Sequence, residues 1–198
     1  NGLLYVRGQS SDYDRWAQMG NRGWSWEDVL PLFKRSENQE RGADQFHGAE
    51  GELSVSNMRL QRPICDAWVA AATAAGYPFN PDYNGETQEG VGYFQLTARK
   101  GRRCSAAVAF LNPVKNRPNL KVVTGALVKK VEIENGRATG VSYLAHGRSE
   151  ALVTCRREVI LSSGTINSPQ LLMLSGIGDG AQLKDNGIEV VHHAPDVG

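Results

Sequence analysis

Hydrophobic and polar positions change their spacing part-way along this chain, and the two spacings predict different elements. In the first part the apolar residues recur at helical intervals. Val29, Leu30, Leu32 and Phe33 share one helical face. Ahead of them, Ser25-Trp26-Glu27-Asp28 has capping-box spacing, in which the Ser25 hydroxyl accepts from the Asp28 amide and the Asp28 carboxylate reaches back. Pro31 falls early enough in that helix to be tolerated. Residues 46–57 are rich in glycine and predict a loop holding a short strand at Leu53-Ser54-Val55. A second helix is predicted over 63–75, with Pro63 in its first turn and Gly76 as its stop. Pro81-Asp82-Tyr83-Asn84-Gly85 is a turn cluster, and a third helix is expected over 105–111, ended by Asn112-Pro113.

After Asn119 the pattern shortens to that of strands. Residues 120–123, 128–133, 139–144 and 151–155 are β-branched and partly alternating. Asn135-Gly136 has the composition of a type I′ hairpin turn between the second and third of these. The run 158–163 is continuously apolar and ends at Gly164, the pattern of a strand buried on both faces of a parallel sheet. Ser168-Pro169 then predicts an N-cap and first helical position for a helix over 170–174, with Gly176 as its C-cap. Residues 188–191 read as a last strand, and Gly176 to Gly180 as a cap and turn. Strand, glycine turn and capped helix make up a nucleotide-binding α/β layer. The expected fold class is therefore α/β, with α+β elements in the first part.

Composition narrows this only a little. The 198 residues are 40% hydrophobic and 22% charged, which excludes a disordered chain, a collagen-like repeat and a disulfide scaffold. A net charge of +1, with both signs spread along the chain, gives no argument for a nucleic-acid partner. Cys65, Cys104 and Cys155 have no metal-ligand spacing and suit a reducing, cytoplasmic compartment. No apolar run approaches the roughly 20 residues that span a bilayer, so membrane association is not evident. The chain opens without methionine and stops just past a predicted strand, so it is expected to be a piece of a longer protein.

The Gly164 turn is the strongest candidate for chemistry on physical grounds. Open α/β sheets bind ligands beyond the carboxyl ends of their strands, where helix N-termini offer amides to anions. Ser163, Gly164 and Thr165 would then lie against a phosphate or sugar; equally, the glycine serves if it only permits tight packing. Asn1 to Gly8 offers glycine for close backbone approach, and Gly101-Arg102-Arg103 two cations before a helix, though each also reads as surface loop. His47, His146, His192 and His193 lack the spacing of metal ligands, and no metal site is expected. There is no G-x-S-x-G elbow, P-loop or G-x-G-x-x-G opening a helix.

Taken in order, these segments resemble the glucose–methanol–choline family of flavin-dependent oxidoreductases, most closely its choline dehydrogenase-like bacterial branch. Asn1-Gly2-Leu3-Leu4-Tyr5-Val6-Arg7-Gly8, with Asp12-Tyr13-Asp14 and Gly23-Trp24-Ser25-Trp26, is similar to the second half of the family's first signature and its continuation. The stretch Gly164-Thr165-Ile166-Asn167-Ser168-Pro169-Gln170-Leu171-Leu172, continuing through Gly176-Ile177-Gly178, resembles its second signature. Between them Asp82-Tyr83-Asn84-Gly85, Gln88 to Gly92, Gly101 to Ala107, Arg117 to Leu120 and Gly136 to Val141 fit the same branch.

The resemblance implies FAD as cofactor, and the middle portion of a Rossmann-like FAD-binding fold with part of a substrate cap. Residues 1–118 would be mostly flavin-lid and cap helices and loops, and 119–198 the strand-rich part returning to the FAD-binding sheet. Asn1, Gly2, Leu3 and Leu4 match the segment along the flavin ring and ribityl chain. Val128 matches the position whose backbone reads the adenine edge, and Ser163 and Gly164 the strand-end turn near the cofactor. The pyrophosphate-gripping unit would precede Asn1, and the catalytic histidine pair would follow Gly198, so no catalytic residue is expected in this chain. The implied reaction is oxidation of a choline-like or other primary alcohol to an aldehyde, with electrons passed to a quinone or other acceptor. A hydroxynitrile lyase-type relative and an inactive truncated remnant remain as alternatives. Substrate, oligomeric state and mode of flavin attachment are not legible.

Overall fold

Tyr13 is the residue about which the first two helices pack. The computed structural model describes residues 2–198. In it α1 (Ser10–Gln18) and α2 (Trp26–Ser36) close on the buried Tyr13 ring, which stacks on Trp26 at 5.7 Å and meets Phe33 edge-on. The Tyr13 hydroxyl accepts from the Gly8 amide at 3.1 Å, and a Cβ at residue 8 would sit 3.1 Å from the same ring. α2 starts as predicted, on reciprocal bonds between Ser25 and Asp28. Pro31 lies in the second turn rather than the first, at the loss of one helical hydrogen bond. α1 is polar apart from its aromatics, which hid it from periodicity; Gln9 and Asp12 cap it.

β1 (Glu37–Gln39) follows α2 directly and pairs in parallel with β2 (Leu53–Val55), the short strand foreseen. The two glycines of the connecting loop are there for contact: a Cβ on Gly48 or Gly51 would fall 1.9 Å or 2.2 Å from backbone atoms of Lys34 or Ser36. α3 (Pro63–Ala74) runs between its proline and Gly76, which takes φ +98°. β3 (Ala98–Arg99) and β4 (Arg102–Arg103) form a small hairpin. The third helix is one π-helical turn, Ala107–Leu111, closed by the Asn112 amide on the Ala107 carbonyl at 2.8 Å. These elements belong to one unit, which ends at Lys121.

Val122–Gly198 is a second unit. Its sheet is an antiparallel meander of β5 (Ala126–Glu134), β6 (Arg137–Ala145) and β7 (Ser149–Thr154), in that order. Asn135 and Gly136, at φ +51° and +75°, make the predicted left-handed turn pair. α4 (Gly164–Leu174) packs on β5. Ser175, just past its end, accepts from the Val131 amide on that strand at 2.8 Å and donates to the Leu171 carbonyl at 2.6 Å. β8 (Ile177–Gly178) pairs in parallel with β9 (His192–His193). Between them lies α5 (Gly180–Asp185), capped by the Asp179 carboxylate and buried through Leu183.

Four expectations are corrected. Residues 158–163 form no strand; Ile160 is 77% exposed, because no neighbouring strand among the described residues offers a ladder. Residues 120–123 are likewise unpaired, with Val122 and Val123 about half exposed. The last strand is His192–His193 rather than 188–191, since it is His192 and His193 that align with Ile177 and Gly178. α4 begins at Gly164, not at Ser168. Gly164 turns the chain at φ +88°, and the Ser168 hydroxyl accepts from the Ser163 amide at 2.9 Å from inside the helix. The architecture is mixed α/β.

Candidate functional site

The strip that opens the chain is held in an unusual conformation. Leu3 has φ +70°, a region that branched L-residues seldom enter without surrounding restraint. The restraint is visible: the Leu3 carbonyl accepts from the Thr97 amide (2.8 Å) and hydroxyl (3.2 Å), and the Tyr5 amide donates to the Gln95 carbonyl at 2.9 Å. Leu4 bridges Leu96 and remains 52% exposed. A Cβ on Gly2 would meet only the Leu4 side chain at 3.9 Å, so the backbone is open at that point. Asn1, singled out with these residues, lies outside the described residues.

Behind the strip sits a group of buried charges. Glu37 is fully buried and accepts from Arg7 Nη2 at 2.6 Å. Both Glu37 carboxylate oxygens lie 3.1 Å from His47 Nδ1, and His47 Nε2 lies 2.8 Å from Asp82 Oδ2. Arg7 Nη1 also donates to the Phe46 carbonyl at 2.7 Å. Burial by itself would lower the His47 pKa, but the hydrogen bonds to Asp82 and Glu37 outweigh it and carry the imidazolium up to about 9. Asp82 shows the converse: burial raises it, yet the His47 hydrogen bond and the Asn84 amide hold it below the ordinary carboxylate value. Uncharged amides extend the group, with Gln39 donating to Gln95 at 3.0 Å.

In the second unit, Ser163 and Gly164 are exposed at the start of α4, and a Cβ on Gly164 would meet nothing within 4 Å. The helix therefore presents its first turn of amides at an uncovered surface. Val128 lies on β5, an edge strand of the meander, next to the irregularity between Val128 and Lys130. It is 37% exposed. His193 accepts from the Gly180 amide through Nδ1 at 3.0 Å, a structural bond. Among the described residues, no group of three or more His, Cys, Asp or Glu could hold a metal ion, and no helix is long and apolar enough to cross a membrane.

Comparison with known proteins decides what these parts belong to. The family model described as GMC oxidoreductase matches residues 1–198, the whole chain. This chain is a GMC oxidoreductase family member. It is choline dehydrogenase-like in sequence: 50% identical, over all 198 residues, to the oxygen-dependent choline dehydrogenase of Brucella anthropi. The match covers 36% of that relative, so the chain spans about a third of the length of the curated relatives it matches. Among solved structures, pyridoxine 4-oxidase from Mesorbium loti superposes with a TM-score of 0.90 at 31% identity, over 99% of this chain and 39% of that one. An FAD-dependent oxidoreductase from Chaetomium thermophilum does so with a TM-score of 0.89 at 29% identity, over 98% and 36%. Enzymes of the GMC family are FAD-dependent.

Of the residues expected to meet the cofactor, Gly2, Leu3 and Leu4 lie in the first unit and Val128, Ser163 and Gly164 in the second. The charged group behind the strip escaped the sequence pattern. In the sequence His47 stands out only as a histidine without metal-ligand spacing, and Asp82 only as part of a turn. Arg7 and Glu37 carried no local signal, because positions 7, 37, 47 and 82 meet only through tertiary folding.

Proposed function

We propose that this GMC oxidoreductase chain helps to hold FAD in an enzyme that oxidises a primary alcohol of the choline type to its aldehyde. The observation that carries this reading is the 50% identity, along the entire chain, to a choline dehydrogenase. The described residues fit such a cofactor. The open backbone at Gly2 and the exposed Leu4 offer an apolar surface to a flat ring. The uncovered turn at Ser163 and Gly164 offers amides and close backbone approach, and the edge-strand backbone at Val128 suits the rim of an adenine. Asn1 completes the proposed set from outside the described residues.

FAD supplies hydride acceptance at its N5 when bound. The residues of this chain bind and orient: the strip at 2–4 sets one face of the cofactor site, and the buried charges behind it keep that strip in place. The base that takes the hydroxyl proton is assigned to the part of the protein that the longer relatives carry outside this match. The electrons leave to a quinone, dye or dioxygen.

The test is anaerobic titration of the FAD-loaded full-length protein, including the parts its relatives carry outside this match, with a panel of primary alcohols that includes choline. Choline is expected to bleach the flavin's visible absorption; if no alcohol does so, the alcohol-oxidising reading falls. Reoxidation by a quinone analogue compared with air then assigns the acceptor. The turn in the second unit has its own test. Gly164→Val is expected to lower flavin content at matched folded fraction, because valine disfavours φ +88° and adds bulk at the open face. Cys155→Ala, away from that turn, is expected to leave flavin content unchanged. Equal flavin content in the two variants would mean that the Gly164 turn does not face the cofactor.

A further inference from the structure

The buried Arg7, Glu37, His47 and Asn84 and the partly buried Asp82 form a closed ring. From the Arg7 guanidinium it runs to Glu37 at 2.6 Å, from Glu37 to His47 Nδ1 at 3.1 Å, and from His47 Nε2 to Asp82 Oδ2 at 2.8 Å. The other Asp82 oxygen accepts from the Asn84 amide at 3.0 Å, and Asn84 Oδ1 accepts from the backbone amide of Arg7 at 2.8 Å, where the ring closes. Asn84 Nδ2 also donates to the Tyr5 carbonyl at 2.9 Å, so one side chain grips the strip at two points. Arg7, Glu37, His47 and Asn84 are each at most 5% exposed.

Both nitrogens of His47 face carboxylates, with the Gln39 amide nitrogen 3.4 Å from Nδ1, and the doubly protonated imidazolium can donate to both carboxylates at once. With that proton, two cations and two anions balance; without it, one ring nitrogen turns a lone pair toward the fully buried Glu37 carboxylate or the partly buried Asp82 carboxylate. Side chains from three other stretches, at 37, 47 and 82–84, are thereby tied to residues 5–7. That backbone is continuous with the bend at Leu3, where Thr97 holds the Leu3 carbonyl, and Gln95 holds the Tyr5 amide.

We propose that His47 is a positioning residue for the cofactor-facing strip: bridging Glu37 and Asp82, it closes the ring that fixes residues 5–7 and so places Gly2 to Leu4 against the flavin. The inference rests on the reading of Gly2 to Leu4 as a flavin-facing strip. It goes beyond that reading by assigning the strip's geometry to a residue that never touches the cofactor.

The experiment compares FAD dissociation constants and the shape of the bound flavin's visible absorption bands in the FAD-loaded full-length protein and its variants. The variants are His47→Gln, the milder Asp82→Asn, and Val29→Ala as a destabilised control. Gln bonds one carboxylate and leaves the other unmatched, so His47→Gln is expected to weaken FAD binding about tenfold and to shift the absorption bands. Asp82→Asn, which keeps an oxygen acceptor for His47, is expected to do the same to a smaller degree and serves if His47→Gln does not fold. Val29→Ala, at an equal or larger loss of thermal stability, is expected to leave both readouts unchanged. Should the ring variants move FAD affinity and spectrum no more than Val29→Ala does, the ring is structural only and the proposal is overturned. If the unaltered full-length protein neither retains nor takes up FAD, the cofactor reading itself fails, and the proposal with it.

Discussion

Replacing Glu37 with leucine is expected to destabilise the protein by about 3–5 kcal/mol, the usual cost of stripping one partner from a buried ionic group. Glu37 has no exposed surface, and it faces two cationic side chains at once. Its loss would leave Arg7 with the Phe46 carbonyl and its long contact to Tyr5, and His47 with Asp82 and the Gln39 amide 3.4 Å from Nδ1. The Gly48 amide, which donates to Glu37 at 3.2 Å, would lose its acceptor as well. Leucine is close enough in volume that a cavity contributes little, so the cost is electrostatic. Urea unfolding monitored by tryptophan fluorescence measures it. An exposed ion pair such as Lys129–Glu150 provides the contrast: its removal is expected to cost under about 1 kcal/mol. Similar losses from the two changes would mean that the buried ring does not hold the first unit together.

Stability is expected to fall on the alkaline side as His47 loses its proton. Its pKa is about 9 in the folded chain against 6.5 for the free side chain. A group whose folded pKa is raised stabilises fully below its unfolded value, and that contribution drains away as pH climbs through the folded one. The stabilisation is therefore complete below about pH 6.5 and gone somewhat above pH 9. At about 1.4 kcal/mol per pH unit, the gap corresponds to about 3 kcal/mol. Asp82 acts in the opposite direction. Its folded pKa lies below 3.8, so its contribution is present above that pH and is lost as acid protonates it. Urea midpoints measured from neutral to strongly alkaline pH should trace the decline, and His47→Gln should flatten it. An equally steep alkaline limb in His47→Gln would assign the decline to other groups.

Local chemistry made much of the fold readable. The Ser25–Asp28 box, the Pro63 start and Gly76 stop of α3, and the Asn135-Gly136 hairpin each depend on interactions within a few residues, and each is where the sequence puts it. The same holds for the three strands of the meander, whose β-branched runs are flanked by their own turns. Family membership was legible too, because the two long motifs stand in order at opposite ends of one chain.

What the sequence could not determine was everything that depends on a distant partner. The apolar run at 158–163 looks like a buried strand, but apolarity says only that a segment favours burial; with no neighbouring strand among the described residues in hydrogen-bonding register, it forms no strand and leaves Ile160 exposed. α4 begins before Ser168 because Gly164 can take a positive φ, a freedom visible in the sequence only as one more glycine. The ring of Arg7, Glu37, His47, Asp82 and Asn84 joins residues up to 77 positions apart. No helical or strand period links those positions. Each polar residue alone would have been read as solvated surface, since a buried charge is tolerable only when its counter-charges arrive with it. Residue type and short-range spacing thus fixed the elements and the family, while the charge state of His47 and the bend at Leu3 were decided by which side chains the tertiary fold brought against them.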